Sequence, residues 1–271
     1  MTQNYTLTLG RKANNGLPLD KRMTAWHPTG NQIALSFTDL IAVQSNIFHF
    51  GTQERLNKCR LYAFVDTTCL RGRPPGLVAQ QLCDGGADLI QLRAKQATLD
   101  DVRRMAEEIL PVTRRAGIPL VINDHFSLAR ELGAEFCHLG QEDFFDEGYT
   151  QVAQLSTPPP PGLGSQVGVG LSTHSQVQAE RALTAGPDYI AVGPVYSTST
   201  KPDARPIAWD YLRWAAVNVR IPWFAIGGIN LENLDEVLAA GVRRICVVSA
   251  ILNADDVAAA CREFRRRLEA V

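Results

Sequence analysis

The chain has 271 residues, 45% of them hydrophobic and 20% charged, and its 27 Lys and Arg nearly balance its 28 Asp and Glu for a formal net charge of −1. That length and apolar content suffice for one large domain with a full core, or for two small ones. The balanced charge excludes a broad electrostatic grip on nucleic acid or anionic lipid, so any anion site must be local.

In chain order, residues 1–58 come first and have no clear period. They are rich in Asn, Thr and Gln around the apolar stretches LPL, IALSF, LIAV and NIFHF. They read as an N-terminal extension: an ordered segment, a disordered leader, or a stretch upstream of a start at Met23. Its first residues, MTQNYTLTLGRK, lack the apolar run of a secretory leader, and no later stretch reaches the ~20 apolar residues of a membrane span. A cytoplasmic location is therefore expected.

A domain over 59–271 follows, in which short apolar runs alternate with longer amphipathic ones, the pattern of parallel βα units. Strands are predicted at 61–66, 87–92, 118–123, 135–139, 166–171, 188–193, 221–226 and 244–249. Helices are predicted at 75–85, 99–116, 126–132, weakly at 147–155, then at 174–185, 206–218, 231–240 and 254–269, with Thr98 and Asn253 as caps. Eight such units are the count of a closed (β/α)8 TIM barrel with an N-terminal extension. An open doubly wound sheet usually has fewer strands, and no Gly-x-Gly-x-x-Gly follows the first one. The run Pro158-Pro159-Pro160-Pro161-Gly162 reads as a stiff surface loop. The six cysteines lie far apart with no Cys-x-x-Cys pair, so they read as reduced thiols rather than disulfides or zinc ligands.

Barrels of this type work at the C-terminal ends of their strands, and polar residues gather there. Gln91, Arg93 and Lys95 alternate after the second strand, so an extended segment points all three to one side; Arg93 can fork onto a phosphate and Lys95 adds a point charge. Asn123-Asp124 ends the third strand, and Gln141-Glu142-Asp143 follows the fourth. Carboxylates from adjacent strands can share a Mg²⁺, although Asp124 is also placed to cap the next helix. Ser172 after the fifth strand is a substrate contact or a helix cap, whereas His174 is assigned a structural role. GPVYSTSTK after the sixth sets Ser197, Thr198, Ser199, Thr200 and Lys201 in a row, which either a plain hydroxyl-rich loop or an anion site would explain. Gly228, Val248 and Ser249 sit where loops seven and eight commonly bind phosphate through backbone N–H groups. Two anion sites emerge: Arg93, Lys95, Lys201 and Mg²⁺ in one, Gly228 and Ser249 in the other.

The segments QLRAK, INDH, HLGQED, GLSTHS, GPVYSTSTK, AIGGI and VVSAI, in this order, resemble thiamine-phosphate synthase over roughly residues 60–271. The resemblance implies transfer of a hydroxymethylpyrimidine group from its diphosphate to the nitrogen of a thiazole phosphate, with release of pyrophosphate. It implies that Gln91, Arg93, Lys95, Asn123, Ser172 and Lys201 hold the pyrimidine diphosphate, that Asp124 and Asp143 hold Mg²⁺, and that Thr198, Thr200, Gly228, Val248 and Ser249 hold the thiazole phosphate, carboxylated or not. It further implies a dissociative mechanism: pyrophosphate departs first, leaving a pyrimidine-methyl cation that the thiazole nitrogen captures. Lys201, Arg93, Lys95 and Ser172 are its catalytic set, and no strong base is required. The partners are two small molecules; a homo-oligomer stays open.

Two positions depart from the family pattern: Ala94 replaces a usual acidic residue, with its side chain expected to point away from the site, and Arg243-Arg244 is bulkier and more basic than usual. Two other readings compete, a thiazole tautomerase on the same barrel and a non-catalytic sensor of thiamine precursors. The retained Asp124, Asp143 and Lys201 argue against both.

Overall fold

A computed structural model describes residues 23–26, 32–35, 54–155, 167–197 and 205–270. The proline run and the candidate residues Thr198, Thr200 and Lys201 lie outside the described residues, as do Ser199 and most of 1–53. The chain divides into two units, Met1–Gly51 and Thr52–Val271. In the first, β1 (Met23–Trp26) pairs antiparallel with β2 (Gln32–Leu35).

The second unit is a closed barrel of eight parallel strands: β3 (Leu61–Asp66), β4 (Leu89–Arg93), β5 (Leu120–Asn123), β6 (Phe136–Leu139), β7 (Gly168–Thr173), β8 (Tyr189–Val192), β9 (Trp223–Ala225) and β10 (Ile245–Val247), with β10 closing on β3. The expected fold is thus the observed one. The crossover helices are α2 (Pro75–Asp84), α3 (Leu99–Ala116), α4 (Phe126–Leu132), α5 (Gln141–Phe145), α6 (Gln176–Ala185), α7 (Trp209–Asn218), α8 (Leu234–Ala239) and α9 (Ser249–Leu252), and α10 (Val257–Glu269) ends the chain. A preceding helix, α1, spans 54–58.

Thr98 caps α3 as expected, accepting from Asp101 N at 3.2 Å. The expected cap at Asn253 is corrected: Asn253 closes α9, and Asp256 caps α10 by accepting from Ala259 N at 2.8 Å. The helix expected at 147–155 is also replaced. The chain folds instead into the one-and-a-half turns of α5 and a 3-10 turn at Val152–Leu155, and Gln154 Oε1 accepts from the Thr150 and Gln151 amides between them.

Two apolar layers build the core. Val, Ile, Leu and Ala from the outer faces of the strands meet the helices, a layer that also takes in Ala94, while the barrel interior is filled largely by aromatic rings. Tyr62 stacks on Phe64 and meets Tyr189 and Phe224 edge-on. Gly170 makes this possible, because a Cβ there would stand 2.1 Å from Tyr189 Cζ. At the N-terminal end of the strands Leu56 of α1 and Cys59 join the same interior cluster and close the floor. The departing basic pair lies at this end: Arg243 Nη1 donates to the Leu238 and Val242 carbonyls, and Arg244 Nη2 donates to Asn57 O at 3.1 Å. Asp88 Oδ2 accepts from the Arg60 and Leu61 amides at 2.7 and 2.9 Å and pairs with Arg265, which anchors the entry to β3.

Candidate active site

At the opposite end of the barrel the strand termini enclose a cavity of about 290 Å³. Of the thirteen candidate residues, Gln91, Arg93, Lys95, Asn123, Asp124, Asp143, Ser172, Gly228, Val248 and Ser249 all line it; the remaining three are outside the described residues. The alternation in β4 explains the first group. Gln91 pairs with Phe64 and Arg93 with Asp66, and Lys95 follows one step beyond the strand. Ala94, between them, packs into the outer core and does not line the cavity.

Arg93 is held from below. Its Nη1 lies 2.7 Å from Asp66 Oδ2, and the other Asp66 oxygen accepts from Thr68 N at 3.0 Å and Thr68 Oγ1 at 2.7 Å. The carboxylate is fully buried and spends its charge on one guanidinium, leaving the other side of the fork free to face an anion. Asp66 was not among the residues singled out from sequence. Its signal was there, a carboxylate ending the first strand in register with Tyr62 and Phe64, all three facing inward.

Lys95 stands between two carboxylates. Its Nζ is 2.6 Å from Asp124 Oδ2 and 3.6 Å from Asp143 Oδ2. Asp124 adopts φ +67°, a left-handed conformation that Asp tolerates better than most residues, and strain of this kind concentrates at functional sites. It does not cap α4, whose N-cap is His125 with no side-chain capping bond. Ser172 likewise lies within β7 and caps nothing, since Ser175 caps α6. His174 keeps the structural role assigned to it: its Nδ1 hydrogen-bonds the Gly193 carbonyl, and its backbone N–H donates to Gln178 Oε1 at 2.7 Å.

Across the cavity the glycine pair after β9 brings backbone, not side chains, to the surface. Gly228 has φ +64°, and a Cβ there would stand 2.7 Å from both Ser197 O and Tyr196 Cβ. Val248 and Ser249, at the start of α9, complete this wall.

Beneath the mouth, His138 bridges two layers. Its Nε2 is 2.9 Å from Ser172 Oγ and its Nδ1 is 3.2 Å from Tyr189 OH. Tyr189 OH is in turn 3.0 Å from Tyr62 OH, which accepts from Gln91 Nε2 at 2.5 Å. Burial pushes both phenols well above their usual pKa, so both stay protonated. No stretch of sequence signals this connection, because tyrosines spaced along strands look like core.

The arrangement offers fixed cations, a pair of carboxylates, a backbone-lined wall and the Ser172 hydroxyl beside the His138 imidazole. It suits charge stabilisation and positioning. Among the described residues no cluster of three or more His, Cys, Asp or Glu could hold a metal by itself, and no helix is long and apolar enough to cross a membrane.

Comparison with known proteins places this geometry. Residues 61–251 match the family model described as thiamine monophosphate synthase. A thiamine-phosphate synthase of Thermus thermophilus is 45% identical over 188 residues, covering 69% of this chain and 85% of that protein. One from Chloroflexus aurantiacus is 40% identical over 207 residues, covering 76% and 91%. In three dimensions the barrel is similar to a thiamine phosphate pyrophosphorylase from Pyrococcus furiosus, with a TM-score of 0.68, 32% identity, and coverage of 79% of this chain and 98% of that one.

Proposed function

The chain belongs to the thiamine monophosphate synthase family and is a transferase that forms thiamine phosphate, and from that premise we propose how its residues divide the work. The substrates are 4-amino-2-methyl-5-(diphosphooxymethyl)pyrimidine and 4-methyl-5-(2-phosphooxyethyl)thiazole or its carboxylated form. Gln91, Asn123 and Ser172 seat the pyrimidine diphosphate, and Arg93, Lys95 and Lys201 face its phosphates. Gly228, Val248 and Ser249, with Thr198 and Thr200, receive the thiazole phosphate, largely through backbone. The observation that carries this division is the juxtaposition of Arg93, clamped by buried Asp66, with Lys95 on one side of the cavity, opposite the side-chain-free wall at Gly228.

The reaction breaks the C–O bond between the pyrimidine methylene and the diphosphate, the electron pair leaving with the diphosphate. The thiazole nitrogen then gives its lone pair to the methylene carbon and forms the C–N bond. Arg93 and Lys95 hold the leaving oxygens and lower the cost of charge developing on them, the term that dominates most such sites. The two walls hold the partners in line, which removes the entropy of a bimolecular encounter. Water is excluded from the methylene by the aromatic floor and by the bound thiazole.

A divalent cation fits the donor set. Asp124 and Asp143 already turn one oxygen each toward a single cationic group, the Lys95 ammonium, and Mg²⁺ takes one or two carboxylates together with waters and substrate phosphate oxygens. Bound there, Mg²⁺ would neutralise the diphosphate and improve it as a leaving group. A cytoplasmic location belongs to the same proposal.

The test is direct. Purified protein supplied with Mg²⁺ and both substrates should release pyrophosphate and thiamine phosphate in equal amounts. Turnover of the thiazole phosphate alone, with no pyrophosphate when both are present, would overturn the proposal in favour of a tautomerase.

A further inference from the structure

Five side chains form an unbroken chain through the barrel interior: Gln91, Tyr62, Tyr189, His138 and Ser172, with successive contacts of 2.5, 3.0, 3.2 and 2.9 Å. The two ends, Gln91 and Ser172, line the cavity, on strands β4 and β7. Tyr62 and Tyr189 are no more than 1% exposed, so an unmade bond at either hydroxyl would carry its full desolvation cost.

With Gln91 Nε2 as the donor to Tyr62 and His138 as a neutral imidazole, the donor and acceptor inventory gives the chain one direction. An amide nitrogen only donates, so the Tyr62 oxygen accepts from Gln91 and its own proton goes to Tyr189. Tyr189, having accepted, sends its proton to His138 Nδ1. A neutral imidazole that accepts at Nδ1 carries its proton on Nε2, and that proton goes to Ser172 Oγ. Having accepted it, Ser172 directs its own proton elsewhere, into the cavity. At the other end the Gln91 amide oxygen accepts no hydrogen bond among the described residues.

We infer that Tyr62, Tyr189 and His138 are positioning residues, forming a one-way hydrogen-bond relay that holds His138 as the Nε2–H tautomer and thereby sets Ser172 as a donor and the Gln91 carbonyl as an acceptor toward the ligand. The site then presents one acceptor on β4 and one donor on β7. That pair complements a flat nitrogen heterocycle with an exocyclic amino group at one edge and a lone pair or anionic oxygen at the other. The opposite polarity, with Ser172 donating to His138, would create a nucleophile activated by a base; Gln91 donating at the head of the chain runs against it. The relay explains why the site of a reaction that needs no base contains a His–Ser contact. It rests on the reading that Gln91 and Ser172 seat the pyrimidine diphosphate.

The experiment is side-chain nitrogen NMR on the ¹⁵N-labelled full-length protein without ligand, with the His138 signals assigned by their loss in His138→Gln. The native protein should show His138 protonated at Nε2 and bare at Nδ1. Tyr189→Phe, which keeps the ring, should give a mixture of tautomers, and its KM for the pyrimidine diphosphate should rise about tenfold, the worth of one hydrogen bond of roughly 1.4 kcal/mol, with a smaller change in kcat. Tyr62→Phe, which breaks the chain one link earlier, should also mix the tautomers and serves if Tyr189→Phe does not fold. A native His138 protonated at Nδ1, or a tautomer unmoved in whichever variant folds, overturns the relay; if neither folds, the native spectrum decides. Absence of pyrophosphate release by the native enzyme would instead overturn the functional proposal, since the tautomer is read without substrate.

Discussion

Asp66 and Arg93 pair across adjacent strands with one oxygen 2.7 Å from one guanidinium nitrogen, and the carboxylate has no exposure at all while the guanidinium reaches the cavity. The buried carboxylate holds the guanidinium at one nitrogen and so limits where it points. Asp66→Asn keeps the shape and the acceptor for Thr68 but removes the charge. It should lower kcat/KM about 10²-fold, the scale of an ångström of misplacement, with the fold intact by circular dichroism. Asp66→Ala, which also strands the guanidinium, should cost about 3 kcal/mol in urea unfolding. Native kinetics in Asp66→Asn would show that Arg93 needs no such support.

Lys95 stands between Asp124 and Asp143, the two carboxylates proposed to hold Mg²⁺, so ammonium and metal would share them. Chelation should abolish turnover and Mg²⁺ should restore it. Asp124→Asn should raise the Mg²⁺ concentration for half-maximal rate about 10- to 100-fold, the equivalent of one charge-assisted contact. An unchanged requirement would remove Asp124 from the ligand set.

Gly170→Ala puts a methyl group against the Tyr189 ring, inside a core with nowhere to yield. The expected loss is about 1–3 kcal/mol, measured by chemical denaturation. Val177→Ala, at a residue 74% exposed on α6, should change stability by less than about 0.5 kcal/mol and serves as the control.

Alkaline stability follows from the buried thiols. Burial raises Cys59 and Cys261 from 9.0 to about 12 and Cys83 to about 11. The folded protein binds these protons more tightly than the unfolded chain does, so their contribution is complete below pH 9 and is lost as pH rises from 9 through about 12. Buried Tyr211, raised to about 12, acts in the same direction. The melting temperature should hold level from pH 7 to 9 and decline above it, and Cys59 should resist alkylation at pH 8 until the protein is unfolded. A thiol that reacts rapidly in the native state would contradict this.

Much of the barrel was legible because its signals are local. The apolar run of β3, the Thr98 cap with its first-turn acids in α3, and the whole of α4 lie within the residues that dictate them, and their observed bounds match those expected. Errors arose where two local signals competed. In Asn253-Ala254-Asp255-Asp256 either end could cap a helix, and the turn of α9 that follows β10 consumed the first. The last two strands are only three residues each, and the expected windows overran them at both ends, reaching Ile226 and Val248 at the mouth. In the candidate site, side chains on alternate positions of one segment, such as Gln91, Arg93 and Lys95, could be read together. The partner of Arg93 lies 27 residues earlier and the relay joins five strands, so neither leaves a trace in any single window.

The floor that α1 makes with Leu56 has a consequence for traffic. Among the described residues the barrel is a vessel open at one end, loaded and emptied through the same doorway. A ligand seated against Tyr62 and Cys246 and one resting nearer the rim would thus share a single passage.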